Sequence, residues 1–463
     1  MLNKLNALDL AFLSLEKRST PVNVASLTIF EIPKNYKGHF PSDLFNKLLV
    51  QEAKPPFNQK LSSVHSTAMP HWVTDTHFDI HYHVRHSALP HPGKLEDLLA
   101  LTSRLHSQLL DRTRPLWEFH LIEGLENNQF ALYLKMHHAA IDGMGGVELM
   151  KNWFSLSSGD EVKAPWSCMP AHRDKEQGHD LFTNASKLVD KMAANTKMVQ
   201  DLSKMVFGQY LKTIGFDSNA SPVPFSAPQS MINVPITCSR SFAVKTLPFK
   251  DIAALGKKVN ATVNDVVLAM CSSALRKYML EHDALPKKSL IASVPVSVRH
   301  KSGSGNQITY VIADLATDEP DTMTRIQRIG RSTKDAKKEL VGISSDAASN
   351  FAFLAQGVVA IMNQLNISSM MPPAANVIIS NIPGPRKALY FGKAKLIATY
   401  PLSVLLDGQA LNITVVSYRD SVCLGLMACR DTIPDVGIIA DYIESAMDDI
   451  KAGVFLQDAM QAD

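Results

Sequence analysis

Cysteine is scarce in this chain. Cys168, Cys238, Cys271, Cys423 and Cys429 are the only five, an odd number with no Cys-x-x-Cys pair. That excludes a small disulfide-stapled fold and fits a reducing compartment. An excess of one charge sign is also missing. With 47 basic and 44 acidic residues the formal net charge is +3, so there is no global signature of nucleic-acid binding. No stretch approaches the roughly 18 consecutive apolar residues needed to cross a bilayer. The apolar N-terminal stretch carries Asp9 and Glu16, which a signal peptide would not. No solenoid period is apparent. What remains is 463 residues, 46% hydrophobic and 20% charged. This is the composition of a globular protein with a substantial core, long enough for about two to three domains.

The most informative stretch is Lys135-Met136-His137-His138-Ala139-Ala140-Ile141-Asp142-Gly143. Before it, Phe130 to Lys135 reads as a buried strand. After it, Gly143-Met144-Gly145-Gly146 leads into Val147 to Phe154, which reads as a helix. Two histidines therefore stand where a strand gives way to a glycine-rich turn. An imidazole held there can take a proton near neutral pH. Asp142, followed by Gly143, can fold back to brace the turn. On a strand, His137 and His138 point to opposite faces and cannot easily share one ion, so no metal is expected.

Taken in order, Asn6 to Glu16 has helical spacing, with Leu8, Phe12 and Leu15 on one face, and Pro21 to Phe30 reads as a strand. Phe78 to Arg85 alternates with period two and reads as another strand. His81 and His83 would share its face, as half-exposed residues or as a pair of metal ligands. Lys94 to Asp111 is an amphipathic helix lined by Leu95, Leu98, Leu99, Leu105 and Leu109. It stops before Pro115, and Pro115-Leu116-Trp117 opens the next strand. Residues 159–235 read as a linker. Within it Leu181 to Leu211 is a helix decorated by Lys187, Lys191, Lys197 and Lys204, either packed across two lobes or lying on an anionic surface.

A second lobe follows. Arg240 to Leu247 is a strand, and Val263 to Tyr278 is a helix whose Asn264-Asp265 fits N-cap chemistry. Ser289 to Arg299 is a strand containing Pro295, expected at an edge or bulge. Asp321 to Leu340 reads as a charged, exposed helix, and Phe351 to Leu365 as an apolar one. Small residues in the latter, Ala355, Gly357 and Ala360, suit the wall of an acyl-chain tunnel. Asn376 to Pro385 is a buried strand ended by a hard turn, Leu396 to Met427 supplies further strands with a turn at Gly408-Gln409, and Val436 to Lys451 is a helix.

Five segments, in this order, resemble the wax ester synthase/diacylglycerol acyltransferase family of bacteria. They are Leu8-Asp9 with Phe12 and Glu16; Pro115-Leu116-Trp117; His137-His138 with Asp142-Gly143; Asn264-Asp265; and Ser380-Asn381-Ile382-Pro383-Gly384-Pro385. The His-His-x-x-x-Asp-Gly pattern is shared with the wider CoA-dependent acyltransferase superfamily. The resemblance implies an α/β fold with mixed sheets. Two lobes like chloramphenicol acetyltransferase, residues 1–158 and 236–463, would flank a channel with His138 near its middle. It also implies transfer of a long-chain acyl group from acyl-CoA to a fatty alcohol or diacylglycerol. His138 would be the general base and His137 its support. Asp142 would be a brace paired with Arg299 or Arg114. Asn264, or a backbone N–H near Gly143, would donate to the oxyanion. Pro115, Leu116 and Trp117 would contact substrate. Acyl-CoA is then a substrate, and no cofactor is expected. The protein would be cytoplasmic, with peripheral contact to a membrane or lipid droplet. Two other readings stand beside this one: a condensation-type acyltransferase with a carrier-bound donor, and a non-catalytic protein that binds lipid surfaces through residues 181–212.

Overall fold

The computed structural model describes residues 3–5, 7–62, 70–141, 143–168, 222, 225–299, 306–342 and 372–460. Asp142, the basic segment 181–212, and Ala355, Gly357 and Ala360 lie outside the described residues, as does the side chain of Arg299.

The first lobe is built on a six-stranded sheet. Its strands are β2 (Asn23–Glu31), β5 (Val84–Ala88), β6 (Trp117–Leu125), β7 (Gln129–His137), β12 (Tyr390–Phe391) and β13 (Ala394–Leu402). Their spatial order is β12-β13-β2-β7-β6-β5. The helices of this half are α1 (Ala7–Leu15), α2 (Phe40–Leu49), the single turn α3 (Ile80–His83), α4 (Leu95–His106) and α5 (Gly143–Trp153). A small three-stranded sheet joins β1 (Asn3–Lys4), β3 (Gln59–Leu61) and β4 (His71–Thr74). Strand β7 is buried from Phe130 to His137 and pairs without interruption along β2, from Glu31 opposite Gln129 to Asn23 opposite His137. The histidine pair is therefore delivered by a central strand with neighbours on both sides.

The second sheet has the order β10-β9-β11-β14-β15-β8. It comprises β8 (Arg240–Pro248), β9 (Ile291–Arg299), β10 (Asn306–Asp314), β11 (Val377–Ile382), β14 (Leu411–Tyr418) and β15 (Ser421–Cys429). Helices α6 (Phe249–Lys258), α7 (Val263–Glu281), α8 (Thr322–Gly342) and α9 (Val436–Met460) complete this lobe. Both large sheets are mixed: β5 runs parallel to β6, and β11 runs parallel to β9 and β14. Ile413, Val415 and Leu424 join the core formed with the helices. Tyr418, Cys423, Met427 and Cys429 join the core of the first lobe. Strands β14 and β15 of the second sheet are thus buried on both faces.

The halves of the sequence are not the halves in space. Strands β12 and β13, from the second half, pair into the first sheet, with β13 running along β2 from Lys395 opposite Glu31 to Leu402 opposite Ala25. A division at 158 and 236 therefore cuts across the first lobe. Glycine makes the junction tight. A Cβ on Gly425 of β15 would fall 2.0 Å from the Pro401 carbonyl oxygen of β13. At the preceding residue, the Tyr400 hydroxyl lies 2.8 Å from Thr246 Oγ1 of β8.

Several local expectations are corrected. Residues 78–85 are not one strand. Asp79 Oδ1 accepts from His81 N–H and starts the turn α3, which ends as β5 begins at Val84. His83 is buried and His81 exposed, so they share no face. Along α4, Leu98 is fully buried while Leu95 and, beyond the helix, Leu109 are exposed. The cap of α7 is Thr262, not Asn264. Thr262 Oγ1 accepts from Asp265 N–H, and Asp265 Oδ2 accepts in return from Thr262 N–H, a reciprocal capping box. Pro295 lies within an interior strand in unbroken register with β10, but the pairing of β9 with β11 stops at Ser293, so its missing N–H breaks no bond of that ladder. Helix α8 is not simply exposed: Met323, Arg325, Ile326, Ile329 and Thr333 are buried.

Candidate active site

Phe12 and Glu16 come from α1 and the residue just after it, Val22 from the approach to β2, and the histidines from the end of β7. His137 is fully buried. Its backbone N–H donates to Leu116 O (3.0 Å). Its Nδ1 accepts from the Ala139 N–H (3.0 Å), so the ring proton resides on Nε2, which stands 3.4 Å from Glu16 Oε1. The Nδ1 of His137 is thus hydrogen-bonded and its Nε2 faces the Glu16 carboxylate inside the protein. His138 is placed differently. It is only partly buried, its backbone N–H donates to Val22 O (2.9 Å), and its ring packs on Phe12 with centroids 4.2 Å apart. The backbone is thus pinned independently of the imidazole.

Glu16 is the centre of the bracing. Its side chain is 3% exposed. Oε1 accepts from Val22 N–H (3.2 Å), and Oε2 accepts from Arg112 Nε (3.1 Å) and Nη2 (3.0 Å). Burial on its own would raise the Glu16 carboxyl, but His137, Arg112 and the Val22 N–H outweigh burial and hold it below the usual carboxylate range. Val22 thus donates to Glu16 and accepts from His138, so one residue connects the buried carboxylate to the histidine backbone. Arg240, from β8, adds a clasp from the second lobe by donating to Ser19 O (2.7 Å).

The sequence pattern singled out the histidines but not this support. Glu16 was legible as an acid ending an apolar helix, while the role of Arg112 depends on a contact across 96 positions. Arg114, expected as a partner for Asp142, lies over the Tyr82 ring (4.0 Å) and 3.8 Å from Asp111, while Asp142 is outside the described residues.

The Pro115-Leu116-Trp117 segment is structural. Leu116 packs with Ala139, Phe12 and Val22. Trp117 is 2% exposed, stacks on His83 and Trp166, and donates from Nε1 to Phe57 O (2.7 Å). With all its surface covered inside the lobe, the indole cannot touch substrate, contrary to the sequence expectation. Gly143 begins α5. In the second lobe Asn264 Oδ1 accepts from Asn381 Nδ2 (3.3 Å), which joins two of the motif segments and leaves the Asn264 amide N–H group as a donor. A chain of contacts runs from there toward the histidine turn. Ser380 pairs in register with Thr414, Thr414 Oγ1 donates to Asn412 Oδ1 (3.0 Å), and Asn412 Nδ2 donates to Val404 O (3.1 Å). Val404 packs in the same cluster as Ala139.

A profile of the wax ester synthase/diacylglycerol acyltransferase catalytic domain matches residues 5–267, and one of the WS/DGAT C-terminal domain matches residues 304–451. The chain belongs to this family. It is 40% identical over 451 residues to the O-acyltransferase WSD of Acinetobacter baylyi, covering 95% of each chain. It is 37% identical over 454 residues to a probable diacylglycerol O-acyltransferase of Mycobacterium tuberculosis, covering 96% of this chain and 98% of that one. The wax ester synthase/diacylglycerol acyltransferase of Marinobacter aquaeolei superposes with a TM-score of 0.78 at 34% identity, covering 98% of this chain and 100% of that chain. The starter condensation domain of rhizomide synthetase shares the fold at 14% identity, with a TM-score of 0.55 over 97% of this chain and 94% of that one. Membership makes this wax ester synthase/diacylglycerol acyltransferase family member an O-acyltransferase. Among the described residues no helix is long and apolar enough to cross a membrane.

Within this family member, Glu16→Ala would strand a buried Val22 N–H and the His137 Nε2–H. Each stranded donor costs about 1–3 kcal/mol. The expected result is a lower urea midpoint together with a reduced kcat, and partial recovery of both in Glu16→Gln, which retains an acceptor. Wild-type kcat in a folded Glu16→Ala protein would show that the brace does not reach His138.

Proposed function

We propose that the chain transfers a long-chain acyl group from acyl-CoA to the hydroxyl of a long-chain fatty alcohol, giving a wax ester, and of diacylglycerol, giving triacylglycerol. The carrying observation is the asymmetry of the histidine pair: His137 is fully buried with Nδ1 on Ala139 N–H and Nε2 facing Glu16, whereas His138 is partly exposed with its backbone pinned to Val22. The matched relatives, named for wax ester and diacylglycerol acylation, support the substrate class.

His138 takes the alcohol proton as the hydroxyl oxygen attacks the thioester carbon. The tetrahedral oxyanion accepts from Asn264 Nδ2 or from a backbone N–H of the turn at Gly143. Its collapse forms the ester, breaks the carbon–sulfur bond and expels the thiolate, which recovers the proton from His138. A positioned base contributes about 10²–10⁴-fold and one oxyanion donor about 3–4 kcal/mol. Asp142 acts as a brace of the turn, and Ala355, Gly357 and Ala360 line the acyl chain. These steps require no metal or redox cofactor. Neither requires an acyl-enzyme, so both substrates are bound together. The reaction takes place on the cytoplasmic side, with peripheral contact to a membrane or droplet surface supported by the lysines between 187 and 204.

Free-thiol release from a long-chain acyl-CoA tests this reading. Release should depend on added fatty alcohol or diacylglycerol, with intersecting initial-rate plots. A burst of thiol without acceptor would instead indicate a covalent intermediate. No release with any acceptor, but transfer from a carrier-bound donor, would replace this reading with the condensation type. Lipid-surface binding with no turnover from any donor would leave a binding protein.

A further inference from the structure

The turn after the Ser380–Pro385 motif creates a basic corner that the reaction above does not use. Between Asn381 and Leu406 the sequence has Arg386, Lys387, Lys393 and Lys395 and no acid. The fold brings two of these together with cations from other elements. Gly384 N–H donates to Ser417 Oγ (3.0 Å), and a Cβ on Gly384 would fall 2.0 Å from Ser417 O. The turn is therefore pressed against the end of β14, where Arg419 N–H donates to Pro385 O (2.9 Å). Phe249 N–H donates to Asp420 O (2.8 Å), which brings in the start of α6 with Lys250. The Arg386 guanidinium lies 3.9 Å over the Phe249 ring.

Lys250, Arg386 and Lys387 are exposed and Arg419 is partly so. None of the four forms an ion pair among the described residues, whereas Lys245, Arg328 and Lys451 of the same lobe have carboxylate partners. The acids next to these cations are Asp420, beside Arg419, and Asp251, beside Lys250 and paired with Lys451. Arg419 holds a left-handed backbone (φ 52°), where asparagine or glycine would sit with less strain. The corner stands at the carboxyl ends of parallel β11 and β14, the side of such sheets on which ligands bind. It lies five residues beyond Asn381, whose side chain contacts Asn264. A formal charge of only +3 over the chain makes this concentration a local feature.

We infer that Arg386, Lys387, Arg419 and Lys250 bind phosphoryl groups, and that these belong to the nucleotide end of the acyl-CoA donor. This rests on the proposed function, because a donor without phosphates would have no use for the corner. A guanidinium held flat on an aromatic ring keeps its N–H edge free for phosphate oxygens. Clustered cations raise the local concentration of a multiply charged ligand in a salt-dependent way.

The test is calorimetric binding of coenzyme A, together with steady-state kinetics, for the wild type and the double variant Arg386→Gln/Lys387→Gln. Binding of coenzyme A should weaken roughly tenfold or more, the scale of losing charge-assisted hydrogen bonds. KM for a long-chain acyl-CoA should rise similarly with little change in kcat. With the matching S-acyl-pantetheine, which lacks the diphosphate and nucleotide, wild type and variant should behave alike, which also shows that the variant is folded. Unchanged affinity for coenzyme A, or an equal loss with both donors, would overturn the inference. Sedimentation with phosphatidylglycerol vesicles separates the other phosphoryl source: loss of vesicle binding with unchanged coenzyme A affinity would assign the corner to lipid headgroups and also overturn it. Binding of coenzyme A by the corner without any wild-type turnover would defeat the proposed function but not the site.

Discussion

Replacing His138 with alanine is expected to lower kcat by about 10²–10⁴-fold while the protein keeps near wild-type stability. The geometry separates the two effects. The hydrogen bond that pins this position runs from the His138 backbone N–H to Val22 O, and alanine retains it. The imidazole gives up its packing on Phe12, among its contacts. His137→Ala is the informative counterpart. That ring is fully buried, accepts from Ala139 N–H and faces Glu16, so its loss leaves the buried Ala139 N–H without its acceptor and takes one partner from the Glu16 carboxylate, which keeps Val22 N–H and Arg112. It should cost several kcal/mol in urea unfolding, with activity lost in proportion to folded protein. Thiol-release kinetics and unfolding curves on the two variants decide the matter. If His138→Ala retained more than about a tenth of wild-type kcat, well above the loss expected of a base, His138 would not be the base.

The parts of this fold that could be read from the sequence are those in which local pattern and tertiary context agree. Strand β7 is a continuous apolar run and is buried on both faces, and α7 is apolar around most of its surface and sits in the core. The turn at Ile80–His83 could not be read in the same way. The alternation from Phe78 to Arg85 satisfied a strand template, but the Asp79 side chain captured the His81 N–H and started a helical turn, a competition that periodicity does not register. Cap chemistry was read two positions late at α7, because Thr262 and Asp265 both carry capping oxygens and the residues between them do not decide which one begins the helix. The recruitment of β12 and β13 into the first sheet was invisible for a different reason. A strand's pattern shows that it pairs, not with which strand, and β13 finds β2 across more than 360 positions. At the site, the histidines stood out because two adjacent imidazoles before Asp-Gly are unusual. Arg112 did not, because an arginine in a loop acquires meaning only once Glu16 is beside it.

Glu118→Gln is expected to destabilise the first lobe by about 3–5 kcal/mol, the cost of breaking a buried ion pair from one side. The Lys135 side chain is completely buried. Its Nζ donates to Leu105 O (2.9 Å) and Gln108 O (3.2 Å) at the end of α4, and stands 3.3 Å from Glu118 Oε2. Arg85 Nη1 is 3.3 Å from Glu118 Oε1, and His120 Nε2 is 3.6 Å from Oε2. Burial would raise the Glu118 carboxyl, but His120, Lys135 and Arg85 prevail and hold it down at about 2. Since this is below the unfolded value of 4.5, the stabilisation is complete above pH 4.5 and is lost as pH falls toward 2, a span worth about 3 kcal/mol. His106, held at about 3 by burial and by Lys135 and Arg240, acts in the same direction. The unfolded chain takes up this proton below pH 6.5 while the folded protein does not, so stability already declines between 6.5 and 3. Urea midpoints across pH 7 to 3 should therefore fall for the wild type in both windows. For Glu118→Gln they should start lower and fall less steeply below pH 4.5, where His106 and the lowered carboxyl of Glu16 still contribute. An identical slope below pH 4.5 in the two proteins would show that Glu118 is not held down by its neighbours. Because Lys135 ties the end of α4 to β7 two residues before His137, and Asn23 Nδ2 donates to the same Gln108 O (3.1 Å) from the position opposite His137, loss of this ion pair should also lower kcat before the lobe unfolds. The buried charge is then part of what holds the histidine turn in register.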